Sequence, residues 1–473
     1  MGVTDLPTVI QGGMGVAVSS WQLARAVSAK GQLGVVSGTA LDVVVARRLQ
    51  DGDPGGDARR ALAAFPDPAM SQRVLDRYFD PVGRAPGQPY RPIPKLTLRQ
   101  SRAGQELAVV SNFVEVWLAK EGHSGVVGIN FLEKVQMASP CAAFGAMLAG
   151  VDFVLMGAGV PRQIPQLLTD LAAGRPGGVG VDVHGGDEQH RVEVDPSDLL
   201  GVTPPELRRP KFLAIVSAAV LASYLARDEV TRPDGFVIEG PVAGGHNAPP
   251  RGRMVLDEDN EPVYGPRDDV DLTKIAALGI PFWLAGSYGT PDRVAEARAA
   301  GAAGVQVGTL FALSEESGLT EDLRTQVRHQ LAAGDLAVHT DALASPTGFP
   351  FKVAQLSQTL SDQQVYAERP RLCDLSYLRT PYVSDSGDIG YRCPSEPVHM
   401  YLRKGGALAD TVGRRCLCNA LTANVGLGQT RRDGFVEPPL VTLGSNLDAA
   451  RTLAGRYPDG WHAAEVVDWL LGS

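Results

Sequence analysis

The sequence predicts an α/β protein: a (β/α)8 TIM barrel with inserted helices and a C-terminal cysteine-containing extension. Eight short apolar runs rich in β-branched residues recur up to Gly308, the number such a barrel needs. Most run into Gly, Ser or Asn and are followed by a helical pattern. Their apolar character is nearly continuous rather than alternating, as expected of parallel strands covered on both faces.

In order, the runs are residues 8–10, 33–37, 126–131, 153–157, 212–217, 236–240, 282–286 and 304–308. Residues 20–30 repeat apolar side chains at helical spacing and stop before Gly31. Thr290 supplies an N-cap and Pro291 a first-turn proline for a helix over 292–300, closed by Gly301. Residues about 42–125 are too long for one crossover and contain a Pro/Gly-rich piece at 80–94, so extra helices and loops are expected after the second strand. Residues 179–194 read as a hairpin turning at Gly185-Gly186-Asp187. The expected division is a barrel over 1–345 and, over 346–473, an extension packing on it. The run 345–352, with two prolines around a glycine, folds back across the barrel mouth. A doubly wound nucleotide fold is the alternative architecture, but Val18 stands where the third glycine of a fingerprint begun at Gly13 and Gly15 belongs.

Composition narrows the function. The 473 residues are 44% hydrophobic and 21% charged, with 54 Gly and 34 Pro, which fits many short loops joining regular elements. A net charge of −9 and the absence of Lys/Arg clusters interleaved with aromatics disfavour nucleic acid. The first residues lack a basic stretch followed by an apolar one, Gly2 is followed by Leu6 where a myristoylation signal wants Ser or Thr, and no run approaches a membrane span. A cytoplasmic protein is expected, with its oligomeric state open.

In a barrel, the C-terminal strand ends form one face, and the loops after strands seven and eight commonly bind phosphate. Here those loops carry Gly286, Ser287, Gly308 and Thr309. Backbone N–H groups, a helix N-terminus and two hydroxyls suit a phosphate dianion, and tight turns are the alternative reading of the same glycines. At the first strand end, Gln11 and the segment Gly13-Met14-Gly15 leave backbone on which a planar ring could lie. Asn130, ending the third, offers an amide donor and acceptor. The sixth strand ends in Glu239 and then Gly244-Gly245-His246, which presents an imidazole that changes charge near neutral pH. Glu239 is a ligand for hydroxyl groups of a bound molecule or the partner of a nearby cation.

The motifs Val9-Ile-Gln-Gly-Gly-Met-Gly15, Leu33-Gly-Val-Val-Ser37, Gly128-Ile-Asn130, Val237-Ile-Glu-Gly-Pro-Val-Ala-Gly-Gly-His246 and Gly304-Val-Gln-Val-Gly-Thr-Leu-Phe311 cover most of residues 8–315. In order and spacing this resembles the nitronate monooxygenase (2-nitropropane dioxygenase) family and its relatives among FMN-dependent enoyl reductases. The resemblance implies a barrel binding FMN non-covalently, with the ring over Gly13, Met14 and Gly15 near Asn130, the phosphate at Gly286, Ser287, Gly308 and Thr309, and His246 as the active-site histidine. It implies oxidation of a nitronate or related small acidic carbon substrate with O2 as acceptor. An NAD(P)H-dependent enoyl-thioester reductase is the second reading. The continuation Asn247-Ala-Pro-Pro departs from the small residue and glycine that follow the histidine in many members, so substrate access differs.

Five cysteines, an odd number, do not make a secreted disulfide framework. Cys141 stands alone, whereas Cys373, Cys393, Cys416 and Cys418 cluster in the last quarter. Zinc or an iron–sulfur cluster is one reading of these four and buried core thiols the other. A non-catalytic, metal-stabilised binding module is accordingly the alternative from a different functional class. Lys352 is either a contact for substrate or phosphate, or an ordinary exposed lysine.

Overall fold

A computed structural model describes residues 6–186 and 188–472. Residues 1–5, including Gly2, together with Asp187 of the expected hairpin turn and Ser473, lie outside the described residues.

Each of the eight runs is a strand, displaced at most by a residue or two: β1 Val9–Gln11, β2 Gly34–Ser37, β3 Val127–Leu132, β4 Phe153–Gly157, β5 Lys211–Val216, β6 Gly235–Glu239, β7 Phe282–Ala285 and β8 Gly304–Val307. They form one parallel sheet in the order β1-β8-β7-β6-β5-β4-β3-β2. The ring closes where Gln11 N donates to Leu33 O (2.9 Å) and Leu33 N to Val9 O (3.1 Å). This is a closed (β/α)8 barrel.

Alternate residues of six strands serve two cores. Ile10, Val35, Leu155, Leu213, Val237 and Trp283 pack into one cluster in the barrel interior. Their neighbours Val9, Val36, Val154, Phe212, Phe236 and Leu284 join the larger cluster beneath the helices. With both faces apolar, the strands show no alternation in sequence. Trp283 is fully buried, and its indole N–H donates to Pro7 O (2.8 Å).

The helix Trp21–Ala29 is capped by Ser20, whose side chain accepts from Leu23 N, and Pro291–Ala299 is capped by Thr290. The expected insertion after β2 contains the helices Leu41–Gln50, Asp57–Ala63, Pro68–Tyr78 and the 19-residue Arg102–Lys120. The expected hairpin is Gly177–Val181 with His190–Val194. One insertion escapes the sequence reading: residues 240–271, between β6 and the short helix Leu272–Ala276, run as irregular loop. Its turn residues resemble ordinary barrel punctuation, so only its length distinguishes it.

The hairpin Val338–Asp341 with Phe351–Ala354 carries the chain across residue 345. Further on, Trp461 is fully buried and its indole N–H donates to Leu310 O (2.8 Å). The helix Ala463–Leu471 packs against Trp21–Ala29 and Pro291–Ala299. Among the described residues, no helix is long and apolar enough to cross a membrane.

Candidate functional site

A cavity of about 310 Å³ opens at the C-terminal ends of the strands, within the size range of small-molecule sites. Four barrel loops line it: Gly13, Met14 and Gly15 after β1, Gly244 and Gly245 after β6, Gly286 and Ser287 after β7, and Gly308 and Thr309 after β8. Glu239 lies in the same wall. Residues separated by up to about three hundred positions thus meet because parallel strands deliver all their following loops to one face.

The β7 and β8 loops suit an anion. Gly286 and Ser287 both have positive φ (82° and 64°), and the loop leads into the N-terminus of Pro291–Ala299. A serine held in the left-handed region costs energy and persists only where its surroundings require it.

Two side chains end in buried acceptors without a partner. Asn130 donates from Nδ2 to Gly13 O (3.3 Å), but its Oδ1 has no hydrogen bond, and neither does Oε1 of Gln306 on β8. Gln306 lines the cavity; Asn130 sits behind Gly13, where a Cβ would fall 2.3 Å from the Asn130 Cβ. Gly13 is therefore demanded by close packing on Asn130, in addition to any ligand. The polar Gln306 inside an apolar strand is the signal that could have marked it as a site residue.

The Glu239 side chain has no ion pair or hydrogen bond among the described residues, so the cation-partner reading fails, and burial pushes its carboxyl up to about 7. Since the unfolded value is near 4.5, the folded state holds the extra proton between these limits. Stability from this group is complete below pH 4.5 and is lost as pH rises through 7. In protein stripped of bound small molecules, Glu239→Gln is expected to gain roughly 1–3 kcal/mol over the parent above pH 7 and nothing near pH 4. Chemical denaturation across that range reads the gap; a gap that does not open with pH would refute the assignment.

Gln11 serves a different purpose from the one expected. It is fully buried, accepts from Val35 N (3.0 Å) and donates to Ser19 Oγ (2.8 Å), tying β1 to β2 and shaping the loop behind the cavity instead of lining it.

His246 lies just outside the cavity wall, half-buried. Its Nε2 is 2.7 Å from Ser345 Oγ, and its ring stands edge-on to Phe351 at 4.8 Å. Burial, with a smaller contribution from Lys134, pushes the imidazole down to about 4, so it is neutral at pH 7. The run 345–352 thus crosses beside the histidine. Lys352, however, is neither exposed nor a ligand contact: it is buried, donates to Thr340 Oγ1 (2.5 Å) across the hairpin, and is lowered by desolvation.

The tail supplies a wall that the sequence did not reveal. Thr442, Leu443, Gly444 and Asn446 line the cavity. Gly245 N donates to Thr442 Oγ1 (2.8 Å), Gly444 N to Thr309 Oγ1 (3.0 Å) and Ser445 N to Val242 O (3.0 Å). A Cβ on Gly244 would fall 2.9 Å from the Leu443 carbonyl carbon, so this glycine admits the tail backbone. Nothing in the irregular pattern of residues 440–446 announces that contact.

Cys373, Cys393, Cys416 and Cys418 line one small cavity. Burial raises the Cys416 thiol to about 12 and raises Cys393 and Cys418 as well. Among the described residues, no group of three or more His, Cys, Asp or Glu is arranged to hold a metal ion.

No protein-family model matches the chain, and no curated protein matches it. Solved structures do. FabK from Thermotoga maritima is 16% identical, with 99% of this chain and 93% of that one covered and a TM-score of 0.47. Nitroalkane oxidase from Streptomyces ansochromogenes is 15% identical, covering 100% and 97% with a TM-score of 0.46. The enoyl reductase domain of MlnA from the macrolactin biosynthesis cluster of Bacillus amyloliquefaciens is 12% identical, covering 98% and 94% with a TM-score of 0.44. These are distant likenesses. The barrel assignment rests on the chain's own strand order.

Proposed function

We propose that the chain is an FMN-dependent oxidoreductase of the nitronate monooxygenase type, acting on a nitronate or related small acidic carbon substrate. The observation that carries this reading is the single cavity joining the glycine loops after β1, β6, β7 and β8, with an anion-suited end and Gln306, whose acceptor has no partner, in its wall. The donor and acceptor set fits the flavin. Backbone N–H groups at Gly286, Ser287, Gly308 and Thr309 suit its phosphate. Gln306 and the Glu239 carboxyl are acceptors for ring N–H and ribityl O–H groups, and Gly13, Met14 and Gly15, with Asn130 packed behind Gly13, offer backbone to its plane.

Bound FMN would supply the redox step, taking electrons from substrate and passing them to dioxygen. The chain's own part is proton handling and positioning. A neutral His246 can accept a proton from an acidic carbon at pH 7. With Nε2 engaged by Ser345, Nδ1 is the ring nitrogen left for that transfer. In this reading residues 1–345 are the catalytic barrel, the extension from 346 completes its wall, the tail thiols are packing groups, and the protein works in the cytoplasm.

Purified protein is expected to be yellow, with flavin absorbance, without stoichiometric zinc and without the brown absorbance of an iron–sulfur cluster. Anaerobic addition of a nitronate is expected to bleach the flavin bands. Bleaching by NADPH but not by nitronate would replace this reading with enoyl-thioester reduction. Colourless protein carrying one zinc per chain would replace it with a binding module.

A further inference from the structure

A second cavity, about 300 Å³, is formed by tail residues and shares no lining residue with the cavity at the barrel mouth. Four arginines line it, Arg369, Arg371, Arg414 and Arg415, together with Tyr366 and Ser395, and no carboxylate is in the lining. Two of the four have carboxylate partners behind the wall: Arg369 with Glu437 and Arg415 with Asp341, each at 2.5 Å. The other two are held by neutral groups. Arg371 donates to Pro394 O (3.0 Å), Thr411 O (2.6 Å) and the Tyr366 hydroxyl (3.4 Å). Arg414 donates to Asp410 O (3.0 Å), Leu343 O (2.8 Å) and Ser345 O (2.6 Å). The lining and its ion-pair partners therefore sum to two uncompensated positive charges.

Holding like charges together around a void is unfavourable unless something neutralises them. The carbonyl contacts fix the guanidiniums without neutralising them, which is how a preorganised anion site is built. Arg369 is fixed as firmly: it is only 8% exposed and donates from Nε to Glu437 Oε1 (2.5 Å) and from Nη1 to Pro370 O (3.1 Å). Planar guanidinium forks match the oxygens of a phosphate group, and a doubly charged group matches the surplus.

We propose that this tail cavity binds a phosphate dianion, either inorganic phosphate or the phosphate of a small organic ester. Arg414 also donates to the carbonyl of Ser345, whose hydroxyl holds His246, so an anion seated here is connected to the candidate base through two residues, Arg414 and Ser345. The proposal stands on the arginine geometry and does not depend on the flavin reading.

The test is calorimetric titration of the full-length protein, as purified, with inorganic phosphate and with ADP, against chloride at matched ionic strength. Saturable binding is expected for phosphate or ADP and not for chloride. Arg371→Gln is expected to weaken it by roughly tenfold or more, the loss of a charge-assisted contact, while leaving flavin content unchanged. Much tighter binding of ADP would identify an organic ester as the source; equal binding would identify free phosphate. Arg414→Gln serves as the second variant, and circular dichroism checks the folding of both. No saturable binding, or undiminished affinity in folded Arg371→Gln and Arg414→Gln, would overturn the site, because the anion would then be bound at the barrel mouth or not at all.

Discussion

Trp283→Ala is expected to cost about 3–5 kcal/mol of unfolding free energy, the range for emptying a fully buried aromatic site. The indole sits on β7 in the barrel interior, among side chains from β1, β2, β4, β5 and β6. A closed ring of strands has little freedom to collapse into the space, so most of the cavity term should remain. The exchange also removes the N–H donor to Pro7 O, freeing the segment that leads into β1. Chemical denaturation monitored by circular dichroism measures the loss; a change below about 1 kcal/mol would show that the indole does not fill the barrel interior.

His246→Ala is expected to lower turnover by roughly 10²–10⁴-fold, the usual weight of a positioned acid–base group, with the flavin retained. The retention follows from geometry, because the side chain is absent from the cavity wall while Gly244 and Gly245 form part of it. Ser345→Ala should give a smaller fall, about tenfold, since it removes one hydrogen bond to the ring and no reacting group. The pH profile separates the two effects: with the hydroxyl gone, the imidazole's ionisation should move, whereas a purely structural role would lower turnover equally at every pH. A His246→Ala enzyme with full turnover would remove the histidine from the reaction.

The barrel was legible because its strands bury both faces, and a run such as Phe153–Gly157 must then be apolar throughout. The strand ends were legible because glycine is needed where a loop meets another backbone. Chemistry at single positions was harder to read. Gln11 and Gln306 are both polar residues in otherwise apolar strands, yet one ties β1 to β2 and the other lines the cavity; only the third dimension separates them. Lys352 was misread because composition favours an exposed lysine, while the strand register places Thr340 opposite it as an acceptor. Thr442 and Gly444 act through contacts with residues more than a hundred positions earlier, and such pairing leaves no trace in a local pattern.

The wall formed by residues 442–446 also fixes an order of events during synthesis. Chains emerge from the ribosome N-terminus first, so all eight strands are available before the segment that covers Gly244 and braces Thr309 has been made. A nascent barrel therefore has an open mouth, and its ligand cavity is complete only when residues 442–446 arrive. Removal of residues 442–446 would then act on ligand retention, although they lie outside the barrel strands altogether.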